Sequence, residues 1–335
     1  MRLTTTCLTL LLAAFFGSPT LLGDTFGNGA DQFTIDFVTI GNPGNRADRT
    51  GSPNPAGGVP YVYRMGTYEI SRNMVQQANR QGQLGITLDS PAVPIFDPDD
   101  PATGVTWNEA ARFVNFLNTS QGYPAAYKFS RQPGEPGYIA NANIVLWQPG
   151  DPGYDETNRF RNSMAHYFLP SMDEWYKAAF YDPQKDGGVG GYWDYPTGSD
   201  DPPGALDRPW TGGTNAGSAI WNWPFPIGPA EITKAGGLSP YRTMGQAGNV
   251  SEWVETEFDG VNNNGLAERA LRGGSWYWTH YNELGARYIG GGRNPSAEGD
   301  SYDIGFRIAS IPEPSSALLT LVGVLGLIHR SRRSS

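Results

Sequence analysis

Glycine and proline set the tightest limit on what this chain can fold into. There are 44 glycines and 27 prolines among 335 residues, about a fifth of the chain, and they follow no short period. Glycine lowers the cost of unusual backbone angles and proline withholds a hydrogen-bond donor, so long regular helices and strands cannot dominate. A collagen-like or solenoid chain would show a repeat, and none is present. With 39% hydrophobic residues the chain can still build a core. Its 10 Trp, 17 Tyr and 15 Phe bury large areas each, enough to hold irregular loops together. The expectation is a loop-rich globule, one domain over residues 24–311. The net charge of −9 argues against a nucleic-acid partner, because that affinity rests on Lys and Arg neutralising phosphates.

Both ends read as addresses. Residues 1–23 run from Met1-Arg2 through an apolar stretch, Leu8 to Phe16, into small and polar residues, the layout of a secretory signal peptide cut between Gly17 and Gly23. At the other end, in residues 312–335, Pro312-Glu313-Pro314 precedes an apolar run from Ala317 to Ile328 and then Arg330, Arg332 and Arg333. An ordinary membrane anchor with its positive flank inside is one reading. The run is shorter than the roughly 20 residues a spanning helix needs. It resembles the PEP-CTERM sorting signal of Gram-negative bacteria, which an exosortase recognises. That resemblance implies an exported protein, held in the membrane only through the C-terminal segment, cut near the motif and delivered to the cell envelope, outer surface or extracellular matrix.

Within the body, residues 33–40 alternate like a strand, and residues 61–70 read as a second one. Thr106-Trp107-Asn108-Glu109 and Ser171-Met172-Asp173-Glu174 are capping boxes, each opening a helix; a third helix follows Ser71. Residues 181–240 are rich in Gly, Pro, Asp, Asn and Trp and read as loops. Strand-like runs recur at residues 269–272 and 305–308.

Six segments in order carry a family likeness: Gly66-Thr67-Tyr68-Glu69-Ile70-Ser71, Gly104-Val105-Thr106-Trp107, Phe168-Leu169-Pro170-Ser171-Met172-Asp173-Glu174-Trp175, Gly248-Asn249-Val250-Ser251-Glu252-Trp253, Arg272-Gly273-Gly274-Ser275-Trp276, and Gly305-Phe306-Arg307. Together they resemble the sulfatase-modifying-factor family, best known for the formylglycine-generating enzyme, over residues 33–310. The resemblance implies an α+β fold, the C-type lectin-like sulfatase-modifying-factor fold, with little regular secondary structure. Read on their own terms, the Glu174-Trp175 and Glu252-Trp253 pairs are framework: an indole for the core and a carboxylate for nearby donors.

The family's oxidases bind copper(I) through two cysteines downstream of the Gly-Gly-Ser motif, and soft thiolates are what copper(I) selects. This chain has one cysteine, Cys7, inside the leader. Trp278 stands near the first thiolate position, and Asn282 or Glu283 near the second. Copper is therefore not expected. Related members hold iron with three histidines; here the three are His166, His280 and His329, the last in the C-terminal segment. No Gly-x-Ser-x-Gly elbow supports a serine hydrolase. The resemblance also implies a structural calcium, with Gly248, Val250 and Glu252 as donors, although Gly245 stands where the family often has Asp or Asn. Two functions remain open. One is a non-catalytic module that binds glycan, peptide or matrix polysaccharide through Ser275, Trp276, Tyr277, Trp278 and Tyr281, aromatics that could equally pack the core. The other is an oxidoreductase of the formylglycine-generating type or a divergent relative.

Overall fold

The structure, a computed structural model, describes residues 22–88, 97–206, 212–223, 227–278, 280–296 and 302–312. Most of the proposed leader and nearly all of the proposed sorting segment lie outside these residues. The first strand, β1 (Leu22–Phe26), includes Leu22 and Gly23 and pairs antiparallel with β2 (Phe33–Ile40). The alternation of residues 33–40 thus became a strand with Phe33, Ile35 and Phe37 buried.

The second strand is shorter than the sequence suggests. β3 covers Tyr63–Gly66, because beyond it Thr67 donates to the Asp36 carbonyl and Ile70 to that of Phe306, which turns the chain out of the ladder. Three helices follow their predicted caps. Ser71 caps α1 (Arg72–Gly82), whose end is Gln83 in the left-handed region. In α2 (Trp107–Ser120) and α3 (Met172–Phe180) the Thr106/Glu109 and Ser171/Glu174 boxes are closed in both directions, satisfying orphan amides at each start.

Two sheets organise the rest. The larger runs β1-β2-β3-β13-β4, joining β4 (Tyr167–Phe168) and β13 (Ala309–Ser310) to the N-terminal strands. Ala309 lies opposite Met65 on one side and Phe168 on the other, so the two ends of the domain share one sheet. Residues 181–240 carry only two-residue strands: β5 (Tyr181–Asp182) with β6 (Gly191–Tyr192), and β7 (Gly204–Ala205) with β8 (Ser218–Ala219). The second large sheet runs β11-β10-β9-β12, built from β9 (Ser251–Glu257), β10 (Arg269–Arg272), β11 (Gly290–Arg293) and β12 (Ile304–Gly305). Residues 306–308, expected as strand, instead link β12 to β13.

Indoles join helix to sheet. Trp107 at the start of α2 donates to the Val254 carbonyl at 3.0 Å, and Trp253 donates back to the Val105 carbonyl at 2.9 Å. Both rings are buried with their one polar atom satisfied, which is what permits a Trp inside a core. Among the described residues no helix is long and apolar enough to cross a membrane.

Candidate functional site

Two buried charge hubs define the ground on which any site must sit. In the first, Arg307 grips Glu252 with both ends of its guanidinium fork: Nε to Oε2 at 2.6 Å and Nη2 to Oε1 at 2.5 Å. Its other hydrogens go to the carbonyls of Gly66, Thr67 and Met244, and Trp175 Nε1 donates to Glu252 Oε2 at 2.6 Å. Neither side chain of the ion pair has any exposed surface. From the link between β12 and β13, Arg307 therefore ties together the strand that carries Glu252 (residues 251–257), the end of β3 and the loop at Met244, through one bidentate contact and three bonds to carbonyls.

Beside this hub lies Glu69, also buried. It accepts from Asn249 Nδ2 at 2.7 Å and from the Val250 amide at 3.3 Å. Burial first, then the nearby Glu252 charge, pushes its carboxyl well above the ordinary range. Gly245 makes the room: at φ +82° a Cβ there would stand 2.9 Å from the Glu69 carboxylate.

In the second hub Arg161 serves two acids. Nη1 and Nη2 meet Glu174 at 3.0 and 2.9 Å, and Nε meets Glu255 at 2.7 Å. Tyr61 and Tyr127 add hydroxyl donors to Glu174 and Glu255, at 2.6 and 2.8 Å. Burial opposes the charge on Glu174, but Arg161 and these hydrogen bonds prevail and hold its carboxyl below the ordinary value. Both glutamates of the Glu-Trp motifs are thus framework, as their sequence setting suggested.

The residues expected as calcium donors lie at the first hub. Gly248, Val250 and Glu252 are neighbours, but both carboxylate oxygens of Glu252 already face a guanidinium, which stands where a cation would. The Val250 amide points at Glu69. This donor set does not fit a calcium ion, whose oxygen cage would need that carboxylate free.

The segment after the Gly-Gly-Ser motif divides into inside and outside. Gly273 and Gly274 both take positive φ and bend the chain sharply. Ser275 is buried and donates its hydroxyl to Asp303 Oδ2 at 2.9 Å. Trp276 is wholly buried, its amide bonded to the Asn249 carbonyl at 2.8 Å. Tyr277 and Tyr281 remain 42% and 43% exposed, and Trp278 is half-buried. Tyr302 packs edge-on against Tyr277, and Trp221 against Tyr281. The five residues expected as a binding set are therefore not one surface. Two form the anchor, two the exposed face, and Trp278 lies between. Asp303, Tyr302 and Trp221 belong to the same neighbourhood and carried no local sequence signal, being ordinary residues within loops.

The two histidines of the body serve different surroundings. His166, buried at the edge of the larger sheet, stacks on Tyr123 with centroids 4.6 Å apart and lies 3.2 Å from Arg64 Nη2. His280 is exposed in the turn before Tyr281.

A loop-rich α+β fold with buried Arg–Glu hubs and Trp-capped strands defines a class that comparison identifies. Residues 61–311 match the FGE-sulfatase family, the sulfatase-modifying factor enzyme 1-like domain, and the chain belongs to it. The solved structure of Treponema denticola variable protein 1 has a TM-score of 0.53 at 19% identity, covering 88% of this chain and 100% of that one. The crystal structure of CarF has a TM-score of 0.52 at 17% identity, covering 83% and 99%. These likenesses show the fold, the C-type lectin-like form of this family. Among curated proteins none matches the chain.

Proposed function

We propose that this protein is a non-catalytic binding module of the sulfatase-modifying-factor type, exported and delivered to the cell envelope, outer surface or extracellular matrix. One observation carries the binding half of the reading. Where the family's oxidases place their copper thiolates, Trp276, Tyr277 and Tyr281 form an aromatic step: Trp276 is the buried anchor, while Tyr277 and Tyr281 face outward on Tyr302 and Trp221. Amphipathic rings held rigid in this way suit stacking on sugar or peptide. The chain's one cysteine, Cys7, cannot supply a thiolate pair, so soft copper has no ligand set. Export rests on the leader of residues 1–23 and on Pro312-Glu313-Pro314 with its apolar run and arginines, the signal that exosortase-type machinery would read.

The test has two arms. Purified protein given a sulfatase-type cysteine peptide, copper and oxygen should produce no aldehyde; the mass loss of that conversion would overturn the non-catalytic reading. In a screen against glycans and matrix polysaccharides, Tyr277→Ala with Tyr281→Ala should abolish the binding seen for the parent while leaving the melting temperature unchanged. For export, the mature protein should end near Pro312 by mass spectrometry. Peptides containing Arg332 in the extracellular form would refute the sorting step.

A further inference from the structure

A cavity of about 580 Å³ opens between the loop of residues 46–55 and the turn of residues 189–192. That size lies within the range of small-ligand sites. Arg46, Asp48, Arg49, Tyr181, Val189 and Tyr192 contribute to its lining. The two arginines set it apart. Neither guanidinium has a hydrogen-bond or ion-pair partner among the described residues, whereas Arg64, Arg161, Arg287 and Arg307 each face a carboxylate. In a chain of net charge −9, two unpaired guanidinia on one cavity wall form a local positive field.

The acid between them offsets one of the two charges and leaves the wall net positive. Asp48 is buried, and its oxygens are already taken: Oδ2 accepts from Tyr176 at 2.6 Å, and Oδ1 accepts from the Thr50 amide and hydroxyl at 2.8 Å each. Those bonds hold the backbone that carries Arg46 and Arg49. The loop is pinned further by paired amides between Asp48 and Ala56, at 2.8 and 3.0 Å, and by Ser52 donating to the Ala286 carbonyl at 3.0 Å. The wall is thus preorganised, and a ligand meeting it bears little cost for ordering the backbone. Elsewhere in the lining Tyr181 and Tyr192 pack edge to face at 5.1 Å, and Val189 is 83% exposed. Arginine forks in the same lining as the Tyr192 ring and the Val189 side chain combine an oxyanion clamp with apolar surface for the C–H face of a sugar.

We infer that this cavity binds the oxyanion of an acidic polysaccharide, a carboxylate or sulfate ester, at Arg46 and Arg49. The inference rests on the binding-module reading above and names the ligand class and a second contact point for it. The experiment measures binding of the full-length protein to polygalacturonate, a sulfated dextran and neutral dextran, at low and at physiological salt. One acidic polymer should bind and neutral dextran should bind far more weakly. Affinity should fall as salt rises, and Arg46→Gln with Arg49→Gln should lower it by about tenfold or more, the scale of one lost charge-assisted hydrogen bond. The parent and variant should melt together, since both side chains are exposed. Whichever acidic polymer responds to the variant identifies the oxyanion. Acidic binding that the double variant leaves intact overturns the inference. Neutral dextran binding as tightly as the acidic polymers overturns it too, and leaves the module reading standing. Binding to no polymer at all sinks both.

Discussion

Replacing Arg161 by Met is the sharpest probe of how this fold is held together. The guanidinium makes three charge-assisted hydrogen bonds, two to Glu174 and one to Glu255, and stacks 3.7 Å from the Phe168 ring centroid. Methionine keeps much of the stem's packing but leaves two acids without a counter-charge and with no exposed side-chain surface. Breaking such a buried pair costs about 3–5 kcal/mol. A bound on the unpaired burial follows from letting the acids protonate instead. Taking a glutamate of ordinary value 4.5 to its neutral form at pH 7 costs 2.5 units, about 3.4 kcal/mol, so the penalty for burying both charges unpaired is limited to about 7 kcal/mol, to which the loss of the parent's own ion-pair stabilisation adds. The sign with pH is fixed. In the parent, Glu174 sits below 4.5 and adds stability that is present above that value and lost as pH falls through the folded value. In the variant, burial without Arg161 raises the carboxyl, so the penalty is full at neutral pH and fades as protons bind. Urea denaturation at pH 7 and at pH 4.5 should therefore show a gap of about 3–5 kcal/mol shrinking by more than half. A loss under about 1 kcal/mol at pH 7, or a gap that does not change with pH, would refute the hub as a structural ion triad.

The neighbours Trp276 and Tyr277 should separate cleanly. Trp276→Ala should cost about 3–5 kcal/mol in denaturant unfolding, and Tyr277→Ala less than about 1, since one ring is buried and the other half outside; equal costs would contradict the division of the loop. Gly245→Ala should destabilise by more than about 1 kcal/mol, because φ +82° strains an L side chain and its Cβ meets the Glu69 carboxylate. A neutral outcome would mean that Glu69 does not occupy that space. Lys177, buried and bonded to the Asn42 carbonyl at 2.9 Å, is lowered to about 8 by burial. The unfolded chain then holds more protons than the native one between pH 8 and 10, so the parent should gain stability over that interval. Lys177→Met should flatten the gain, as read by denaturation at pH 8 and 9.5.

What was legible in the sequence was what is local. The capping boxes of Thr106/Glu109 and Ser171/Glu174 close over three residues and could be read directly. So could residues 33–40, which present apolar side chains to one face. β9 gave no such signal: six of its seven residues are buried, so no alternation marks it as a strand. The partners of the hubs were out of reach for another reason. Arg161 meets Glu174 and Glu255 across 13 and 94 residues, and Arg307 meets Glu252 across 55. A carboxylate in a motif shows that something must satisfy it, not whether that is an arginine or a calcium ion. The aromatic run 276–281 was visible as a set, but the bend at Gly273-Gly274 decides which ring enters the core.

These separations bear on why family membership says little about chemistry here. A fold this poor in regular structure needs other connectors, and the hubs are such connectors: Arg161 joins its own loop to α3 and β9, which no ladder connects. Their members are residues 161, 174 and 255 in one hub and 252 and 307 in the other, with Glu69 beside the second. None falls in residues 276–283, where the family's oxidases carry their thiolates. Among the described residues of that segment only Trp276 is buried, and it is held by the Asn249 carbonyl and by packing against Tyr302. The outward side chains of Tyr277 and Tyr281 can therefore be replaced without touching what stabilises the domain. A scaffold that keeps its charges in the core leaves one exposed turn free to vary while the domain keeps its shape.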